Sequence, residues 1–231
     1  MSLKNINTSP TYSLKIPSTK KSVEYRPYNV GEQKSLLLAH MEGDAETILT
    51  AAKQMIENCT FKKVDFENSP AFDIEYILVK LRSKSAGEIV DVGIKCVSCE
   101  HMFPYQINLD KVEVTGGSDK NVKISEDLYI VMKYPTVRTS VQFDPEDIDS
   151  AFNQIAECID SIVHGEDIYD AKEQSKAELV EFISRLTESQ VEKLKDFFVN
   201  MPKVEYVSQQ ECPSCKHENK IHITGITNFF I

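Results

Sequence analysis

No stretch of this 231-residue chain approaches the ~18 consecutive apolar residues that a membrane-spanning helix requires. The N-terminus, MSLKNINTSPTYSLKIPSTKK, lacks the roughly 7–15-residue apolar run of a secretory signal. The expectation is a protein that stays in the cytoplasm and touches no membrane. Basic charge is scarce: 26 Lys and Arg face 36 Asp and Glu, a formal net charge of −10. Such a surface repels a phosphate backbone unless a local basic patch overrides the total. Glycine is scarce too, with eight residues, and no G-x-x-x-x-G-K-[ST] or G-x-G-x-x-G loop occurs to cradle a phosphate. G-x-S-x-G and H-E-x-x-H are also missing. The five histidines (His40, His101, His164, His217, His222) pair with no nucleophile. These absences point to a non-enzymatic protein.

Hydrophobic residues make up 41% of the chain and charged residues 27%, enough apolar material for a real core. Residues 1–28 hold five bases (Lys4, Lys15, Lys20, Lys21, Arg26) and one acid (Glu24), so +4 sits here and −14 on the other 203. This stretch reads as a flexible, solvated basic tail. Residues 29–87 read as an N-terminal helical unit. Asn29 and Glu32 fit a capping box, Gly43 breaks the pattern, and Asp44 opens a second helix with Ile48, Leu49, Ala52, Met55 and Ile56 at helical spacing. Ser69–Pro70 starts a third, with Phe72, Ile77, Leu78 and Leu81 as its stripe.

From Glu88 the period changes to two, and about four short strands are expected over 88–140, with Gly116–Gly117 as a break. Residues 141–202 read as an inserted helical bundle. Asp144–Pro145 opens a long helix carrying Ile148, Phe152, Ile155, Ile159 and Ile162 or Val163, and Gly165 ends it. Ser175 with Glu178, then Thr187 with Gln190, cap two more helices. Strand pattern resumes over 203–231, and the terminal Phe229–Phe230–Ile231 is expected to pack on the ribbon or the bundle. The fold class expected is α+β.

The strongest signal is a short internal repeat. CVSC at 96–99 and CPSC at 212–215 share the pattern C-x-S-C-x-H, with His101 and His217 at equivalent places. Each lies between extended segments. Two hairpins with Cys-x-x-Cys tips are the halves of a zinc ribbon, so Cys96, Cys99, Cys212 and Cys215 are expected to bind one structural Zn²⁺ tetrahedrally. The 112 residues between Cys99 and Cys212 exceed the ~15–20 common in ribbons. Three doublings of loop length cost only about 2 kcal/mol. Structural zinc supplies an apparent ~10–16 kcal/mol, so the metal wins.

Other chemistries fit less well. A thioredoxin-type pair wants a helix start, disulfides want an oxidising compartment, and iron–sulfur sites use denser spacings. His101 and His217 either replace a cysteine as ligand, donate to a thiolate from behind the ligands, or are exposed turn residues. Cys59 and Cys158 read as buried free thiols. Residues 139–171 hold nine acids and no Lys or Arg, readable as a solvated face or as a contact for a basic partner.

The order of several motifs resembles the baseplate hub assembly proteins of T-even-type contractile-tailed phages. Those motifs are Tyr25–Arg26–Pro27–Tyr28, the Leu36–Leu38 helix, and Tyr76 to Arg82 ahead of Cys96–Cys99. Lys133–Tyr134–Pro135, Phe197 to Pro202, Cys212–Cys215 and the Phe-Phe ending follow. The resemblance implies an assembly factor or minor component of the tail baseplate hub. Its partners would be other hub or tail proteins, in the host cytoplasm or in the virion tail baseplate. It transfers no catalytic residue, only the four cysteines. A nucleic-acid-binding or transcription-associated ribbon is the alternative; Lys95, Lys216 and Lys220 against Glu100, Glu211 and Glu218 leave its knuckles without net charge.

Overall fold

The computed structural model describes residues 9–141, 143–144 and 146–224. Pro145 and the Phe229–Phe230–Ile231 tail lie outside the described residues. The chain is α+β and divides into two compact units. One comprises Met1–Phe66, Phe72–Val114 and Lys203–Ile231; the other comprises Glu67–Ala71 and Thr115–Pro202.

The first unit opens with an antiparallel hairpin, β1 (Tyr12–Lys15) and β2 (Ser22–Tyr25). The flexible-tail expectation for 1–28 is therefore corrected over this stretch. Leu14, Ile16 and Tyr25 are buried while Ser13 and Lys15 face solvent, the alternation of a half-buried strand. Burying each of those side chains contributes roughly 1.5–3 kcal/mol, an effect invisible to a count of charges. Two strands of four residues are too short to stand out by period. The hairpin loop is pinned as well. Asp73, 1% exposed, accepts the Ser18 backbone N–H at 2.9 Å and the Ser18 hydroxyl.

Burial pushes the Asp73 carboxyl above its ordinary value, against the pull of the two Ser18 bonds. Below the ordinary aspartate value both folded and unfolded chains hold the proton. The penalty therefore builds as pH rises from the ordinary value through the displaced one, and is complete above it. Asp73→Asn is expected to be at least as stable as the parent at pH 7, with the difference vanishing in acid. Urea unfolding at the two pH values checks this.

Helices α1 (Val30–Glu42), α2 (Ala45–Cys59) and α3 (Ala71–Ala86) follow. Asn29 and Glu32 form the expected capping box, Gly43 ends α1 with φ 74°, and Asp44 accepts the Thr47 N–H at 2.8 Å to cap α2. Ile77, Val79 and Leu81 of α3 are fully buried. The Tyr25–Arg26–Pro27–Tyr28 segment locks these parts. Arg26 donates from both terminal guanidinium nitrogens, Nη1 and Nη2, to Glu32 at 3.0 and 2.7 Å, and its backbone N–H donates to the Cys59 carbonyl at 2.9 Å. Strands β3 (Ile89–Lys95) and β4 (Met102–Asn108) pair antiparallel. β10 (Lys203–Glu211) pairs with β11 (Glu218–Thr224) and with the short β5 (Glu113–Thr115).

The second unit is built on an antiparallel sheet in the order β6 (Asn121–Lys123), β7 (Leu128–Met132), β8 (Ile159–His164), β9 (Asp167–Asp170). Short α4 (Val137–Val141), α5 (Ile148–Glu157), α6 (Lys176–Ser184) and α7 (Glu188–Val199) complete it. Its core joins sheet and helices through Ile130, Met132, Ile155, Ile159, Ile183, Leu194 and Phe197.

Two expectations are corrected here. Residues 141–202 are not a helical bundle, because the long helix stops at Glu157 and the chain turns into β8. Ile155, Ile159 and Ile162 keep helical spacing, yet Ile159, Ile162 and Val163 are β-branched and complete the ladder beside β7. Gly165, at φ 61°, then makes the turn to β9. The strands over 121–132, expected in the ribbon region, belong to this sheet. Where this unit's main segment begins and ends, Gly117 N–H donates to the Asn200 carbonyl at 3.1 Å. A Cβ on Gly116 (φ 81°) would meet the Met201 carbonyl oxygen at 3.2 Å. The ends of the long insertion are thereby held together.

Candidate metal centre

The two Cys-x-x-Cys segments cap hairpins of the same build. In the first, Cys96 N–H donates to the His101 carbonyl at 2.9 Å and Glu100 N–H to the Cys96 carbonyl at 3.0 Å. In the second, Cys212 N–H donates to the His217 carbonyl at 2.8 Å and Lys216 N–H to the Cys212 carbonyl at 3.0 Å. Glu100 and Lys216 both take the left-handed conformation, at φ 59° and 61°. Thus C-x-S-C-x-H is a repeat of conformation as well as of letters, and its turns aim each pair of sulfurs to one side.

The four Sγ atoms of Cys96, Cys99, Cys212 and Cys215 lie within 4.8 Å of one another. The Cys96–Cys215 and Cys99–Cys212 separations are both 3.7 Å. A disulfide would hold sulfurs at about 2.05 Å. A tetrahedron with metal–sulfur bonds of about 2.3 Å has edges of about 3.8 Å, which these distances match. Cys96 and Cys212 are buried at 1% and 0%, whereas Cys99 and Cys215 face solvent.

Crowded thiols resist joint ionisation. Burial opposes the Cys96 thiolate, but N–H donors from Cys99 and Ser98 outweigh it and lower the group to about 6. Cys99 receives a helpful N–H from His101, yet the neighbouring sulfurs push it up to about 12. Four cysteine sulfurs this close together are compatible with a metal site, and thiolate donors suit soft or borderline ions.

Support comes from residues beside the sulfurs. Phe103 and Ile94 pack on Cys96 and Cys212. The Tyr105 hydroxyl lies 2.9 Å from that of Tyr206 and donates to Ser208 Oγ at 2.8 Å, joining the two hairpins. Asn219, 2% exposed, went unnoticed in the sequence. Its Oδ1 accepts the Val97 N–H at 3.1 Å, and its Nδ2 donates to the His217 carbonyl at 3.1 Å. The repeat could not flag it, because the first knuckle has Phe103 at the equivalent place.

His101 and His217 are exposed and contribute backbone carbonyls rather than ring nitrogens to the knuckles. Cys59 and Cys158 are buried free thiols far up the titration scale, each pushed to about 12 chiefly by burial. Lys95 at the knuckle rim is tied to Glu100 at 3.1 Å. Among the described residues, no helix is long and apolar enough to cross a membrane, and no other group of cysteines, histidines and acids could hold a metal.

No solved structure matches the chain. It is 26% identical over 220 residues to the baseplate hub assembly protein gp26 of Enterobacteria phage T4, covering 95% of this chain and 97% of that protein. The T4 bacteriophage base plate protein family matches residues 9–231, so nearly the whole sequence, knuckles included, is accounted for, and the chain belongs to that family.

Proposed function

We propose that this protein is a non-enzymatic assembly factor or minor component of a phage tail baseplate hub. It works by protein–protein contacts on a scaffold stabilised by one structural Zn²⁺. The observation that carries this reading is the end-to-end similarity to a baseplate hub assembly protein. Its partners are other baseplate hub or tail proteins, met in the host cytoplasm during assembly or retained in the virion baseplate.

Cys96, Cys99, Cys212 and Cys215 would hold the ion. Four thiolates leave no position for a reacting water, so what the metal supplies there is folding energy. The two knuckles, 112 residues apart in sequence, are then held as one ribbon.

Affinity-tagged protein from infected cells is expected to retain hub or tail subunits in the eluate, identified by mass spectrometry. Failure to retain any tail protein at any stage of infection overturns the assembly role. Metal analysis of the purified chain is expected to return one equivalent of zinc. Metal-free protein with all six thiols readily alkylated overturns the site.

A further inference from the structure

The two units differ sharply in charge. Met1–Phe66, Phe72–Val114 and Lys203–Ile231 contain 17 Lys and Arg and 17 Asp and Glu, a balance of zero. Glu67–Ala71 and Thr115–Pro202 contain 9 against 19, so the whole net charge of −10 falls on this second unit. Part of its acidity has a local use. Asp147 caps α5, Asp170 accepts the Lys172 N–H at 2.8 Å, and Glu157 pairs with Lys176 at 2.6 Å. Asp149, Asp160, Glu166 and Asp167 are exposed, in a stretch without one Lys or Arg.

On this unit a groove of about 390 Å³ runs between the start of α5 and the α6–α7 corner. Ile183, fully buried, lies at its floor with Phe152, Leu186 and Val191 around it. Ile148, in the first turn of α5, stands at the wall and is 74% exposed. Asp147 and Glu188 are on the rim; the cation there, Lys195, lies 3.3 Å from Glu192. The lining is helical, so no free strand edge is offered to an incoming backbone. What such a place accepts is a helix that lowers aliphatic side chains into the groove and sets cations against the rim.

We propose that this groove seats a Lys/Arg-rich amphipathic helix of a partner protein. The proposal rests on the assembly reading and names the chemistry of the contact. Long-range attraction from the −10 field steers the cationic helix in, and burial of Ile148 with the groove wall fixes its register.

The test uses the full chain and a labelled amphipathic Leu/Lys peptide of about 18 residues, read by fluorescence anisotropy. The same peptide with every Lys replaced by Glu is the counterpart. The Lys peptide is expected to bind saturably and the Glu peptide not to bind. Ile148→Arg is expected to weaken binding by about tenfold or more. Ile168→Arg, the same charge change at a 71%-exposed position on β9, is expected to shift it less than about twofold.

Equal losses from both variants would reduce the effect to diffuse charge and overturn the groove, as would no binding. A dimer in sedimentation that Ile148→Arg dissolves would assign the groove to a second copy and overturn the proposal. If Ile148→Arg still co-purifies with baseplate proteins as the parent does, the groove inference fails and the hub reading stands. If the parent retains no tail protein yet binds the peptide as described, the groove stands and the hub reading fails.

Discussion

Cys212→Ser is expected to lower bound zinc from one equivalent to less than about a tenth and to cause a large loss of thermal stability. Cys212 is fully buried, and its Sγ lies 3.7 Å from that of Cys99. A hydroxyl there is a poor ligand, and three thiolates with a water in the fourth place hold the ion far less tightly. Structural zinc supplies an apparent ~10–16 kcal/mol. If only about 4 kcal/mol of that is expressed in the folded chain, Tm falls by roughly 8–16 °C at this size.

Chelation of the parent should reproduce the drop, and lowering the pH should do the same as protons compete for the thiolates. Cys59→Ala and Cys158→Ala, at thiols outside the cluster, should each keep the full equivalent. Metal analysis and scanning calorimetry on the four proteins read the result. A Cys212→Ser protein with unchanged zinc and Tm defeats the assignment.

Arg26→Ala should cost the first unit about 2–4 kcal/mol. The Arg26 and Glu32 side chains are only 21% and 13% exposed, so little solvent screens their paired bonds. Removing the guanidinium strands a carboxylate that also accepts the Asn29 N–H at 2.9 Å in the cap of α1. Arg26 also donates to the Pro27 carbonyl at 2.9 Å. Arg26→Lys should recover only part, because an ammonium cannot make the two-pronged bond. Arg26→Ala with Glu32→Ala should be milder than the sum of the single changes, since the stranded charge is gone.

The pH dependence has a definite sign. Burial opposes the Glu32 carboxylate, but Arg26 and the Asn29 N–H outweigh it and lower the group below its ordinary value. The contribution is then complete above the ordinary glutamate value of about 4.3 and fades as pH falls through the lower folded value. The cost of Arg26→Ala in urea unfolding should be full at pH 7 and shrink in acid.

Several features were legible along the chain because their physics is local. Two cysteines on one tight turn need a particular spacing, so both knuckles, whose four sulfurs the fold brings within 4.8 Å, could be read from Cys96–Cys99 and Cys212–Cys215. Caps are equally local: Asn29 with Glu32, Asp44, and Ser175 with Glu178 all sit where the helices start. Other features depend on partners distant in sequence. The hairpin at Tyr12–Tyr25 is held through Ser18 by Asp73, 55 residues on. Asn219 bridges to Val97, 122 residues away. The run from Ile155 to Val163 satisfies helical spacing and strand composition alike, and the open side of β7 decides between them.

The amino-acid order alone was enough for the two cysteine pairs, the helix starts, the α+β class and the excess of acid over base. It could not say which strands share a sheet, or that the surplus negative charge collects on one unit while the other is neutral. Those outcomes follow from pairing and burial across long stretches of chain. A residue's own neighbours carry no record of them, because the free energy that selects them is released only when distant segments meet.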